Sequence, residues 1–277
     1  MAQVGAVLVD YDGTIAPLGV PRTESRIFRS VEAELRTIAR SAAVFIVTAK
    51  DFGFIHHRSR FATGWACASG LDIRLADGRV IAEKGLADLR EALNLAFAAE
   101  KLGTYTELKR GPDQELLAVT IDWTGAPEAG AFVVRRLKPL AEGGLFVAHE
   151  RGTTYADIYA ARPDKGRAIR LITKMLSVQG YVMFIGDSSL DNSAFQAADI
   201  AVGVAHGQPM GRLTCEFIVE QARLAEFLRS LSGRGMDFSP TMAAVRRKGG
   251  LKRVESSSLD VSDEPHKGTG ARRPTNG

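Results

Sequence analysis

The sequence is poor in most features that mark a special environment. It has only two cysteines in 277 residues, Cys67 and Cys215, far apart and outside any CxxC or Cys/His cluster. That excludes a disulfide framework and a zinc-ligand pattern, and leaves two small apolar residues suited to burial in a reducing cytosol. No apolar run reaches the length of about 18 residues that a membrane helix needs, and no charged segment leads into a long apolar one. A bias of charge is also missing from the body. The net charge is +4, but eight Lys/Arg against five Asp/Glu fall from Asp237 onward, leaving 28 basic and 27 acidic residues before it. Aromatics make up 7% and do not interleave with a basic stripe, so nucleic acid is not an expected partner. A cytoplasmic protein that binds neither membrane nor nucleic acid is expected.

What is present is an ordinary globular composition, 45% apolar and 25% charged. "VGAVLVD" and "AAVFIVTAK" are continuous apolar runs of the kind that a strand buried on both faces shows, and "WACASGLDIRL" holds a third. Between the first two, Ile27, Val31, Leu35 and Ile38 recur at helical spacing. Strand, helix, strand is the βαβ unit of a parallel sheet. The pattern changes near Val80 to helix, two strands, helix, two strands, and returns with "KGRAIRLITKMLSVQG" and "YVMFIGD". The expected class is α/β, a Rossmann-like core over 1–80 and 160–235, with an α+β module (αββαββ) inserted at 81–159. The segment 236–277 is rich in Ser, Gly, Pro and charge and reads as a disordered tail.

In an open parallel sheet the active site forms outside the carboxyl ends of the strands. The buried runs are followed there by Asp10 and Asp12, by Thr48 and Lys50, and by Asp187 with Asp191 four residues on; Lys165 opens the helix before the last of these strands. Taken singly, each has a duller reading: a hairpin turn, a helix cap, a solvated lysine. A calcium loop starting at Asp10 fails because its twelfth position is Pro21. Together they suit phosphoryl transfer. Asp10 can attack phosphorus, and Asp12 can protonate the leaving oxygen and then take a proton from water. Carboxylates such as Asp10 and Asp187 suit Mg2+, and Thr48 with a lysine can hold the remaining phosphoryl oxygens.

The ordered set "DYDGT", Thr48, Lys165 and "GDSSLDNSAF" resembles the four motifs of the haloacid-dehalogenase-like (HAD) phosphatase superfamily, over about residues 4 to 232. The inserted αββαββ module resembles that superfamily's C2B cap, and "DYDGTIAP", "RPDKGRAI" and "GDSSLDNSAF" are most similar to trehalose-6-phosphate phosphatases. The resemblance implies a Mg2+-dependent phosphatase of a small phosphorylated sugar. Catalysis would fall to Asp10, Asp12 and Lys165, the metal to Asp10, Asp12, Asp187 and Asp191, and the substrate to Thr48 and Lys50. Three segments depart from the trehalose pattern: "TAK" replaces SGR, "SGLD" with Ser69 and Asp72 replaces HGxE, and "AARP" replaces ELRP.

A cap that closes over a core excludes water and recognises the leaving group. Arg110, Asp122, Arg151 and Tyr155 are the expected cap contacts, with Arg151 foremost because a guanidinium can hold a second anionic or polyol group. A sugar phosphomutase and a non-catalytic sugar-phosphate-binding partner of a synthase are the competing readings.

Overall fold

A computed structural model describes residues 2–150, 152–207 and 212–245. The expected strand β1 (Ala2–Val9) lies at the centre of the main sheet, with β2 (Ala43–Val47) parallel on one side and the late strand "YVMFIG" parallel on the other. Alternation sorts the side chains. Val7, Val9, Val44 and Ile46 face one core with helix α1 (Arg29–Ile38). Ala6, Leu8, Phe45 and Val47 face a second core on the opposite side. A strand with both faces covered has no reason to carry polar residues, which is why β1 reads as an unbroken apolar run.

After α2 (Phe52–His56), the expected third strand is two: β3 (Gly64–Cys67) parallel to β2, and β4 (Asp72–Leu75) turned back antiparallel to it. Ala68 and Ser69 take positive φ at this turn, which the sequence does not advertise. Then β5 (Val80–Ala82) ends the sheet.

The inserted module matches the expected order. Helix α3 (Arg90–Glu100) precedes β6 (Tyr105–Arg110) and β7 (Leu116–Asp122); α4 (Gly130–Glu142) precedes β8 (Phe146–Ala148) and β9 (Tyr155–Tyr159). The four strands form an antiparallel sheet in the order β6-β7-β9-β8. One face packs Val119, Ile121, Ala156 and Ile158 under α3 and α4. The other is polar and meets the main domain.

The chain then returns to the core through α5 (Lys165–Leu176), β10 (Tyr181–Gly186), α6 (Asn192–Ala197), β11 (Ile200–Ala205), β12 (Phe217–Glu220) and α7 (Leu224–Gly233). Two short strands follow, β13 (Asp237–Phe238) and β14 (Ala244–Val245). β13 pairs with the start of β1 and β14 with β12. Met236 and Phe238 are buried, so the first ten residues of the expected tail, 236–245, belong to the fold; the remainder lies outside the described residues. Among the described residues, no helix is long and apolar enough to cross a membrane.

Candidate active site

β1 delivers Asp10 to the carboxyl edge of the sheet, where its backbone N–H donates to the Ile185 carbonyl at 2.8 Å. The chain then reverses tightly: the N–H groups of Ile15 and Ala16 both donate to the Tyr11 carbonyl. Gly13 makes this possible. Its φ is +74°, and a Cβ there would lie 2.3 Å from Asp187 Oδ2, so any side chain would collide with that carboxylate. Gln221 Nε2 clamps the turn from the far side, donating to the Gly13 carbonyl at 2.7 Å.

Lys165 is the pivot. It is the first helical residue of α5, whose N-terminus is capped by the Asp164 side chain accepting from the Arg167 N–H. Its Nζ lies 3.0 Å from Asp10 Oδ1 and 2.6 Å from Asp191 Oδ1, with only 5% of the side chain exposed. Burial opposes its charge, but Asp10 and Asp191 outweigh burial and hold the ammonium above its ordinary value. Asp191 is fully buried, and its Oδ2 accepts from the N–H groups of Asp187 and Ser188. Asp187 accepts from Thr14 Oγ1 at 2.7 Å and faces His206 Nε2 at 3.2 Å.

Asp10, Asp187 and Asp191 each place an oxygen within 4.8 Å of the others. Burial, then the neighbouring carboxylates, push Asp187 up to about 7, and burial raises Asp10 well above the carboxylate range despite Lys165. Three buried acids facing one ammonium are short of positive charge, and their donors are all oxygen. That fits a hard divalent cation. Three of the four expected ligands form this group, and one stands apart. Asp12 stands outside the three-carboxylate group, and its Oδ2 faces Lys50 Nζ at 3.3 Å. Asp191 is within the group, and its oxygens also accept from Lys165 and two backbone N–H groups.

On the neighbouring strand, Thr48 is fully buried and its Oγ1 accepts from the Lys50 N–H, leaving the hydroxyl proton free to point elsewhere. Ser69 ties the end of β2 to the start of α5: its N–H donates to the Thr48 carbonyl, and its carbonyl accepts from the Asp164 N–H. Its Oγ lies 3.0 Å from the hydroxyl of the cap residue Tyr159. Asp72 forms a bidentate pair with Arg74 instead of facing the site.

The cap face was only partly legible. Cross-strand register puts Tyr105, Asp122 and Tyr155 in one row, Glu107, Thr120 and Asp157 in the next, and Lys109, Ala118 and Tyr159 in the third. All point to the same side of the sheet, because directly paired residues share a face. Asp122 and Tyr155 are thus on the expected side, although Asp122 Oδ1 caps the following turn at Thr124. Arg110 is not. It has the opposite parity from Lys109, is exposed, and donates from Nη1 to the Gln114 carbonyl in its own hairpin. Arg151 lies outside the described residues.

The residues that do reach the site are Glu107, Lys109 and Asp157. Lys109 Nζ lies 2.6 Å from Asp157 Oδ1, with both side chains buried. Burial would raise Asp157, but Lys109 outweighs it and holds the carboxyl below its ordinary value. Thr120 and Tyr159 also donate to Asp157. Glu150, in the loop before β9, accepts from Ser189 of the core. The missed signal is the charged alternation Glu107, Lys109 within "YTELKR", which places those two residues opposite Leu108 and on one face.

No family model matches the sequence. Phosphoglycolate phosphatase of Sulfurisphaera tokodaii is 24% identical over 220 residues, 78% of this chain and 87% of that protein. The C-terminal domain of the trehalose-6-phosphate phosphatase of C. albicans superposes with a TM-score of 0.67 at 15% identity, covering 84% of this chain and 93% of that one. A trehalose-6-phosphate phosphatase related protein gives 0.63 at 18% identity, covering 83% and 98%. A HAD subclass IIB sugar phosphatase gives 0.56 at 16% identity, covering 84% and 100%. Three of these proteins are phosphatases, and the fourth is related to one. The chain has the fold of the HAD superfamily phosphatases.

Proposed function

We propose that the chain is a Mg2+-dependent phosphomonoester hydrolase for a small phosphorylated sugar, working through an aspartyl-phosphate. The observation that carries this reading is the bridge from Asp10 through Lys165 to Asp191, at the edge where β1, β2 and β10 end together. Lys165 orients the Asp10 carboxylate, and Asp191 holds Lys165 in turn. An Asp10 oxygen forms the new bond to phosphorus as the ester P–O bond breaks, and Asp12 gives its proton to the departing oxygen. Asp12 then takes a proton from water, whose oxygen attacks phosphorus and releases Asp10 and inorganic phosphate. Thr48 and Lys50 would hold the phosphoryl oxygens. Asp10 and Asp187 would hold the cation, which neutralises charge on the transferring group when bound.

Charge on the cap favours a polyol leaving group over an acidic one. Among the described residues, Lys109 and Lys50 face the site, and each is already paired with a carboxylate, Asp157 and Asp12. A second anion on the substrate would meet Glu107 and Asp157 with no uncommitted cation among the described residues to offset them, whereas sugar hydroxyls can donate to those acids. The test is phosphate release from a panel of sugar phosphates and phosphoglycolate, with and without Mg2+. Sugar phosphates should be preferred. Asp10→Asn, nearly isosteric, should keep the fold and lose on the order of 10³-fold or more in turnover. Turnover near wild type in Asp10→Asn would overturn the mechanism, and preference for phosphoglycolate would overturn the substrate class.

A further inference from the structure

We infer that Arg22 is a positioning residue that locks the cap strand carrying Glu107 and Lys109 onto the core loop carrying Lys50. Arg22 lies between the Asp10 turn and α1, in a stretch containing Pro17 and Pro21. Its Nη2 pairs with Asp51 and its Nη1 with Glu107. The guanidinium carbon lies 4.4 Å from the centroid of the Phe54 ring, which gives the planar group an apolar floor.

Each partner reaches a different part of the site. Asp51 directly follows Lys50, and its Oδ1 accepts from the Phe54 N–H, which caps α2 and fixes the course of that loop. Glu107 is two residues from Lys109 on the same face of β6, so holding one holds the other. A single guanidinium thus joins the loop after the nucleophile, the loop after β2 and the cap.

Burial separates this contact from an ordinary surface ion pair. Side-chain exposure is 23% for Arg22, 14% for Asp51 and 8% for Glu107, and both Arg22 Nη1 and Glu107 Oε1 are shut off from water. Removing the guanidinium would leave two carboxylates facing each other across the seam between core and cap. Uncompensated buried charge of this kind is costly, and opening the seam to water is the way to relieve it. Lys50 and Lys109 also act on Glu107 through space, but each is paired with another carboxylate and neither bridges Glu107 to Asp51.

The consequence is selective. A leaving group recognised by the cap depends on closure, whereas a small aryl phosphate needs little more than the Asp10 edge. Arg22→Met should lower kcat/KM for the best sugar phosphate by roughly 10- to 100-fold and that for p-nitrophenyl phosphate by less than about threefold. Most of the loss should appear in KM. Hydrogen exchange across Tyr105–Arg110 should accelerate in the same variant, and Arg22→Lys should restore part of both. If Arg22→Met does not fold, Glu107→Gln removes the same link while keeping the side chain's shape, and is read by exchange alone because Glu107 also faces the substrate. Exchange in β6 unchanged from wild type would overturn the inference, as would equal losses on the two substrates. The exchange measurement requires no turnover, so it decides the role of Arg22 even if the phosphatase reading fails.

Discussion

Lys109 and Asp157 show how much a single buried charge pair carries here. Together with the hydroxyls of Thr120 and Tyr159 they form a closed network beneath the cap, and no member can be removed without stranding another. Lys109→Met leaves the Asp157 carboxylate buried without its counter-charge, at an expected cost of about 3–5 kcal/mol. The sign with pH follows from the depressed Asp157 value. In the wild type the pair's contribution is fully present above the unfolded carboxylate pKa of about 3.9 and is lost only as pH falls through the lower folded value. In Lys109→Met, the Thr120 hydroxyl and Lys50 still favour the carboxylate, but the main counter-charge to burial is gone, so the variant recovers as pH falls toward that range. Urea unfolding at pH 8 and pH 5 checks this. The deficit should be larger at pH 8, and an equal deficit at both would mean that lost packing, not charge, is responsible.

At the scale of elements, the two short strands after α7 matter more than their length suggests. Phe238 is fully buried and meets Phe217 and Phe227 edge-on, with ring centroids 5.0 and 6.4 Å away. Its strand also pairs with Ala2 and Gln3 at the start of β1. Phe238→Ala should cost about 3–5 kcal/mol, and a chain ending at Gly235 should melt on the order of 10 °C lower. A melting temperature within a degree or two of the full chain would show that the segment adds nothing to the fold.

For the molecule as a whole, the site is held at an electrostatic cost that a cation can offset. Asp10, Asp187 and Asp191 converge from β1 and β10 because the fold brings those strands side by side. A divalent ion that binds only the folded arrangement stabilises it by about 2.7 kcal/mol at a hundred times its Kd. Saturating Mg2+ should therefore raise the melting temperature by roughly 5–10 °C, and excess EDTA should reverse the gain. Asp187→Ala should abolish the response while still folding. A wild-type melting curve insensitive to Mg2+ would remove the metal from the site.

Local chemistry is what the sequence determined by itself. Unbroken apolar runs of this length suit strands covered on both faces, and residues placed directly after them emerge at a sheet edge, so the position of Asp10, Asp12, Thr48, Lys50 and Asp187 was legible without coordinates. So was the cap's order of elements, since its helices and strands differ in apolar period. What needed the tertiary structure were relations between distant residues. Parity within β6 put Lys109 over the site and Arg110 away from it, and that depends on which face of the sheet meets the core. Asp191 was legible as one of the clustered acids, but its contact with Lys165, 26 residues earlier in the chain, was not. Arg22 carried no signal at all, because a lone arginine in a proline-bearing loop is ordinary until the fold sets Asp51 and Glu107 on either side of it. Residue type and spacing report the chemistry a segment can offer; which partner each charge meets is decided only when the strands and the cap are packed together.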